Sequence, residues 1–478
     1  MADVEMLGSL RGARSRIVRL LHRERAFPGF AHSPGKGNLW RRPARLFVLA
    51  FATVDLLGTV LLLLPAAHAD GEGARFTEAF FTSTSALCVA GLAIVDTGGH
   101  WSVFGELVIL GLIQVGGLGI MTLASLLGIV VIRRFGLRMQ LSVQTETRSL
   151  NVGEVRGIAG RVLKLALVCE VLVALVLVPR MWLSYDMTLP EAIYSGVFHA
   201  VSAFNNAGLS LYGDSLTRFV SDPIILVPIA LATMFGGLGF PVLLELRRRF
   251  TAPRQWTLHT KMTVYTSGAL FAIGMVVVTA LEWSNPATLG TMDTLHRLLA
   301  GAFHGVMPRS GGLNVVDVGA MEDSTLFVTI MLMFVGGGSA GTSGGIKVTT
   351  FAVILLVVWA EVRGHPHVHA FGRRLSSSAI RQALSLTFLS MTVVATATVY
   401  LLITTDFAME QILFEVVSAS AVVGLSTGIT PDLPEHAQLM LAMLMFAGRV
   451  GPITFASALA LRERTRRYDL AEARPIIG

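Results

Sequence analysis

Ser202-Ala203-Phe204-Asn205-Asn206-Ala207-Gly208-Leu209 decides how this chain is read, because its frame recurs. Ser85-Ala86 is followed, after four residues, by Gly91-Leu92, and Ser418-Ala419 in the same way by Gly424-Leu425. A degenerate copy runs from Val306-Met307 to Gly312-Leu313. The four glycines are 117, 104 and 112 residues apart, which marks an internal repeat. Each copy closes a short semi-apolar stretch, at 76–86, 190–203, 293–306 and 408–419, too short to cross a bilayer. A second glycine phrase begins 24 to 28 residues after each of these glycines: Gly116-Gly117-Leu118-Gly119, Gly236-Gly237-Leu238-Gly239, Gly336-Gly337-Gly338 and Gly448-Arg449-Val450-Gly451.

The composition supplies the solvent. Of 478 residues, 53% are hydrophobic and 14% charged, against about 25% charged in soluble proteins. Spanning-length apolar segments fall near 46–66, 103–132, 160–183, 223–246, 260–283, 324–360, 379–404 and 437–461. The first ends in Ala67-His68-Ala69, which mimics a signal-peptidase site, but its roughly 20 apolar residues read as a retained span. Of the 38 Lys and Arg residues, 31 lie in the segments 1–45, 133–164, 247–261, 363–381 and 462–474, all on one side of an eight-span chain. Positive-inside bias makes that side cytoplasmic, with both termini inside. The net charge of +7 is thus a topology signal, not a nucleic-acid surface. Cys88 and Cys169 show neither disulfide-framework nor CxxC spacing.

The expected fold is all-α and integral to the membrane: eight transmembrane helices and four re-entrant pore helices, in four fused helix–pore-loop–helix repeats around a pseudo-fourfold pore. The organisation reads as a basic cytoplasmic segment 1–45, pore repeat 1 at 46–132, a cytoplasmic connection with repeat 2 at 133–248, repeat 3 with a broken last helix at 249–360, a connection with repeat 4 at 361–463, and a cytoplasmic tail 464–478. Non-helical backbone at membrane depth must be buried or line a water-filled cavity. Four extended loops meeting there can offer carbonyls to a dehydrating cation. Glycine suits them because an inward-pointing carbonyl often demands a positive φ. The competing reading, glycines as ordinary helix-packing residues, does not explain four copies in register.

Ser202 to Gly208, Phe81-Thr82-Ser83-Thr84-Ser85-Ala86, Val423-Gly424-Leu425-Ser426-Thr427-Gly428, the run 336–347 and Gly448-Arg449-Val450-Gly451-Pro452 resemble the Ktr/Trk/HKT potassium-transporter superfamily, over residues 45–478. Eight spans favour the Ktr membrane subunit. The resemblance implies a potassium filter formed by the backbones of Cys88-Val89-Ala90-Gly91, Asn205-Asn206-Ala207-Gly208, Arg309-Ser310-Gly311-Gly312 and Ala421-Val422-Val423-Gly424. Glycine at all four key positions implies potassium over sodium. It further implies a plasma (inner) membrane homodimer with one pore per protomer, docked on a ring of separate cytosolic nucleotide-binding (RCK-type, KtrA-like) subunits, the nucleotide sitting on that partner. Whether sodium activates transport is left open. Two places depart from the family pattern: Cys88, where a hydroxylic or aliphatic residue is commoner, and the third loop, Met307 to Leu313, where a Thr-rich phrase ending in Phe is usual.

The run Gly336-Gly337-Gly338-Ser339-Ala340-Gly341-Thr342-Ser343-Gly344-Gly345 cannot continue a helix, since each glycine costs about 1 kcal/mol there. The family implies that this loop plugs the pore, with Arg449 holding it and Lys347 at its exit. Arg309, Lys347 and Arg449 fall at membrane depth, where a lone cation costs roughly 2.5–3.5 kcal/mol. Asp55 and Glu170 also lie inside spans, as sites for a coupling ion or as partners of a cation. His365, His367 and His369 lack the further ligand of a structural zinc site, and Ile346 between Gly345 and Lys347 breaks a phosphate-loop pattern. No transition metal, catalytic pair or cofactor is expected in this chain. The rivals are a proton- or sodium-coupled symporter on the same scaffold and a non-conducting membrane receptor or assembly protein.

Overall fold

The computed structural model describes residues 43–139 and 152–461. The chain divides into two units, Met1–Leu46 and Phe47–Gly478. Of the first only the opening turn of a helix is described, so most of the segment 1–45, like the tail 464–478 and the placement of both termini, lies outside the described residues. Among the described residues the fold is all-α apart from a two-residue hairpin, β1 (His369–Ala370) and β2 (Arg373–Arg374), paired antiparallel.

The helices are α1 (Pro43–Leu62), α2 (Phe76–Cys88), α3 (Thr97–His100), α4 (Val103–Met139), α5 (Val152–Ser184), α6 (Leu189–Asn205), α7 (Pro223–Leu238), α8 (Phe240–Arg249), α9 (Leu258–Leu281), α10 (Thr294–Val306), α11 (Asp323–Phe334), α12 (Val348–Val362), α13 (Ser377–Thr404), α14 (Met409–Ala421) and α15 (Glu435–Leu461). Helices lie in each segment read as a span, with 324–360 interrupted at 335–347. Among the described residues three helices are long and apolar enough to cross a membrane, Ala159–Ser184, Leu258–Leu281 and Ser377–Thr404, or four if the bent pair α7–α8 counts as one span. Phe47–Leu62, Val103–Gly119, Asp323–Phe334 and Val348–Val362 are shorter apolar helices.

One expectation needs correcting. The segment 223–246 is not one straight span, because α7 and α8 meet at 104°. Gly239 adopts φ 94°, a left-handed conformation that costs glycine little. Two residues on, Pro241 has no N–H to return to the Gly237 carbonyl.

The four short inner helices, α2, α6, α10 and α14, form where short semi-apolar stretches were read. Their starts are fixed locally: Glu78 accepts the Arg75 backbone N–H at 2.9 Å, Glu191 accepts that of Thr188 at 2.9 Å, and Asp293 caps α10 through Leu295 N–H at 3.2 Å. Three of them end in left-handed residues, Val89, Asn206 and Val422. Their side chains, including Phe81, Phe198, Phe204, Phe303 and Phe414, fill the main core, while large apolar residues such as Leu175, Val276 and Ile403 face outward. An apolar exterior of this extent suits a lipid surface.

Packing runs in a cycle. Helix α4 packs on α6, α7 on α10, α11 on α14, and α15 returns to α2. The second glycine phrase makes three of these repeats possible. An added Cβ at Gly116 would sit 1.8 Å from the Leu87 carbonyl oxygen, at Gly236 1.9 Å from that of Phe204, and at Gly448 2.0 Å from that of Ser420. Each of those carbonyls lies four residues before the loop glycine, so the long helix touches the last turn of the inner helix at bare backbone. In the third repeat the Gly344 carbonyl takes this place, 1.9 Å from a Cβ at Gly336.

Gly116→Ala should therefore cost about 1–3 kcal/mol through overpacking. Gly111→Ala, on the same helix with nothing within 4 Å of the added methyl, should be neutral or mildly stabilising. Thermal unfolding of the detergent-purified variants separates the two outcomes.

Candidate functional site

Beyond each inner helix the chain repeats one backbone pattern. Two residues before the loop glycine the residue is left-handed: Val89 at φ 59°, Asn206 at 61°, Ser310 at 72° and Val422 at 58°. The glycine is left-handed again, Gly91 at 84°, Gly208 at 69°, Gly312 at 71° and Gly424 at 97°, and the residue between is not. Alternating handedness turns successive carbonyls to one side of a chain instead of to opposite sides as in a strand.

The four loops converge. A methyl on Gly91 would lie 3.0 Å from the Cα atoms of both Gly208 and Gly424, and one on Gly312 would lie 2.7 Å from the Cα of Gly208. The carbonyl preceding each glycine faces the neighbouring repeat: Ala207 O lies 2.7 Å from a methyl on Gly91, Gly311 O 3.3 Å from one on Gly208, Val423 O 2.6 Å from one on Gly312, and Ala90 O 2.5 Å from one on Gly424. This order again closes on itself. At these four positions any side chain would fill the place where the carbonyls meet.

The repeated serine now has a physical account. Ser85 donates to Leu92 O at 2.7 Å and Ser202 to Leu209 O at 2.7 Å, tying the last helical turn to the chain leaving the loop. Ser418 accepts the Gly424 N–H at 3.1 Å. In the degenerate third copy Val306 has no hydroxyl, and His304 Nε2 takes over by accepting the N–H groups of Val315 and Val316 at 3.1 and 3.2 Å.

Buried carboxyls brace these loops from behind. Asp55 accepts from Ser83 at 2.9 Å and Thr84 at 3.0 Å. Glu170 accepts from Gln114 at 3.1 and 2.9 Å and from Asn205 at 3.0 Å. Glu415 is fully buried and takes the Ser426 and Thr430 hydroxyls at 2.7 and 2.8 Å and the Thr427 N–H at 2.8 Å. Sequence reading missed Glu415. Its signal is an acid in the middle of an otherwise apolar stretch of inner helix, Ile412 to Val417, followed by the hydroxyl-rich Ser426-Thr427-Gly428-Ile429-Thr430.

Residues 335–347 form no helix and contact the converging loops at Asn206, Ser310 and Val422. The bend after α7 receives them: the Gly237 carbonyl, free because of Pro241, accepts Gly338 N–H at 2.7 Å, Gly236 accepts Thr342 N–H at 3.3 Å, and Phe240 N–H goes to Ala340 O at 3.1 Å. Gly344 packs on Ala421 and Val422 with no room for a Cβ. Arg449 donates to Thr342 O and Lys347 to Ser343 O at 2.6 Å, so both expected gate cations reach this loop. Arg309 turns its side chain to Gly336 O at 2.8 Å and lies over the Phe271 ring, its charge centre 5.5 Å from the ring centroid. Cys88 and Ala421 are buried below their glycines. Among the described residues no group of three or more His, Cys, Asp or Glu is arranged to hold a metal ion.

Residues 47–464 match the TrkH family, described as cation transport protein. The chain is similar to "Ktr system potassium uptake protein B" of Bacillus subtilis (strain 168), with 38% identity over 90% of this chain and 96% of that protein. The protein of the same name in Vibrio alginolyticus is 35% identical, over 88% and 92%, and "Potassium/sodium uptake protein NtpJ" of Enterococcus hirae is 32% identical, over 88% and 93%. In fold the chain resembles the crystal structure of the potassium transporter TrkH from Vibrio parahaemolyticus, with a TM-score of 0.66, 17% identity and coverage of 90% and 86%. The apolar all-α fold, the four converging glycine loops and the match along nearly the whole chain agree, and the chain belongs to the TrkH family of cation transport proteins.

Proposed function

We propose that this chain is the ion-conducting subunit of a potassium uptake system, and that the converging loops are its selectivity filter. The observation that carries the reading is the ring of four left-handed glycines with the preceding carbonyls of Ala90, Ala207, Gly311 and Val423 directed around one centre. Carbonyls placed this way can replace the water of a monovalent cation. The potassium uptake named in the similar proteins supports the choice of ion. The short inner helices point their partially negative C-terminal ends toward the same centre.

On this reading the chain crosses the membrane eight times in four fused repeats, the shorter apolar helices and the broken pairs α7–α8 and α11–α12 each serving as one crossing. The basic connections face the cytoplasm. Potassium enters down the membrane potential, worth about 2.3 kcal/mol per unit charge at 100 mV. Residues 336–347 form the gate. Two chains form a dimer, each with its own pore, on a cytosolic nucleotide-binding ring. Asp55 and Glu170 hold the filter helices rather than carry a coupling ion, because side-chain donors already occupy their carboxyl oxygens. That favours conduction over symport.

Rubidium uptake into liposomes containing the purified chain, driven by an imposed potential, tests the filter. Potassium should compete and equimolar sodium should not, and Gly312→Asp should abolish uptake; sodium competing equally would refute selectivity. Arg449→Ala removes a charge-assisted hydrogen bond to the gate, worth roughly 1.5–3 kcal/mol, and should raise basal rubidium flux by about tenfold or more. Unchanged flux in Arg449→Ala, and in a deletion within 338–344, would remove the gate from the account.

A further inference from the structure

The layer two residues below the loop glycines has an asymmetry that a filter alone does not need. Repeats 1 and 4 place valines there, Val89 and Val422, whereas repeats 2 and 3 place Asn206 and Ser310. Both polar side chains are buried and both reach the loop 336–347. Asn206 Oδ1 accepts the Thr342 hydroxyl at 2.7 Å, and its amide nitrogen donates to Ser343 Oγ at 3.3 Å and to Thr233 O at 3.2 Å. Ser310 accepts the Gly344 N–H at 3.2 Å while donating at 2.6 Å to the carbonyl of Val422, in the facing loop.

We propose that Asn206 and Ser310 latch the loop 336–347 to the filter, so that opening the gate and loosening the lower filter layer are one event. The inference rests on the filter-and-gate reading above and adds its regulation. With the loop seated, the Asn206 amide uses its oxygen and both N–H groups, and the Ser310 hydroxyl uses its proton and a lone pair. When the loop leaves, Asn206 loses two of its three partners and Ser310 loses one. These atoms sit on the residues that set the left-handed turn of two filter strands, so water drawn to them enters the selectivity layer. Linkage makes the effect mutual: whatever stabilises the ordered filter must stabilise the seated loop by the same factor. Selectivity should then belong to the closed or barely open gate and decline on full opening.

The test measures rubidium uptake in proteoliposomes against potassium and sodium competition. Thr342→Val removes the hydroxyl from the loop without touching the filter. Asn206→Gly removes the amide from the filter while keeping a residue that tolerates left-handed backbone. Each single variant should raise uptake several-fold and also make sodium a competitor. The double variant should do no more than Asn206→Gly alone, because that single already removes the bond to the Thr342 hydroxyl, and Thr342→Ser should behave as wild type. Higher uptake in Thr342→Val with wild-type discrimination would overturn the latch, as would singles whose effects multiply, or singles that change neither reading. Loss of folding alone is recognised by elution on size exclusion, and Thr342→Ser then still requires wild-type behaviour. Unselective uptake by the wild type would refute the filter reading itself, a result separable from all of these.

Discussion

A peptide group that leaves regular structure inside an apolar layer must still be partnered, and this constraint organises the protein. The four loops escape it in one way, by aiming carbonyls at a common centre where a cation or water can take them. The loop 335–347 escapes it in another. It binds the carbonyls that the break at Gly239 and Pro241 sets free, and its own carbonyls take donors from Arg309, Arg449 and its own Lys347. Cost in one element is offset by a matching defect in its neighbour, so two broken helices are stable together where either alone would leave buried groups unpaired.

The same constraint explains why glycine appears in two registers. At Gly91, Gly208, Gly312 and Gly424 it supplies both a left-handed turn and an empty space facing the other three strands. At Gly116, Gly236 and Gly448 it lets a long helix touch the final carbonyls of an inner helix. The first set positions the carbonyls and the second fixes the height of the helix that carries them. Behind both, Asp55, Glu170 and Glu415 hold hydroxyl and amide donors that would otherwise be buried without acceptors.

What could be read from the residues follows how local each cause is. The inner helices, the glycine spacing and the break at 336–347 are written in neighbouring residues, and short helices and a non-helical run occur at those positions. The third loop looks irregular only because its missing serine is replaced by His304, two residues earlier in the chain, while its backbone keeps the same handedness at Ser310 and Gly312. The bend after Gly239 was hidden, because an apolar run with a proline also reads as a span. Gly239 and Pro241 permit it, and the loop that takes up the freed backbone groups lies about a hundred residues away. Asn206 and Ser310 were read for their carbonyls. Their side-chain roles depend on which loop lies beneath them, and no spacing along the chain encodes that.

The most direct test of the central claim is to locate the ion. An experimental structure determined in rubidium, with anomalous scattering recorded at the rubidium edge, should show density on the common axis of Ala90, Ala207, Gly311 and Val423, weakened by excess potassium and not by sodium. Saturating rubidium with no density between these carbonyls, or with its strongest site elsewhere in the membrane region, would contradict the account.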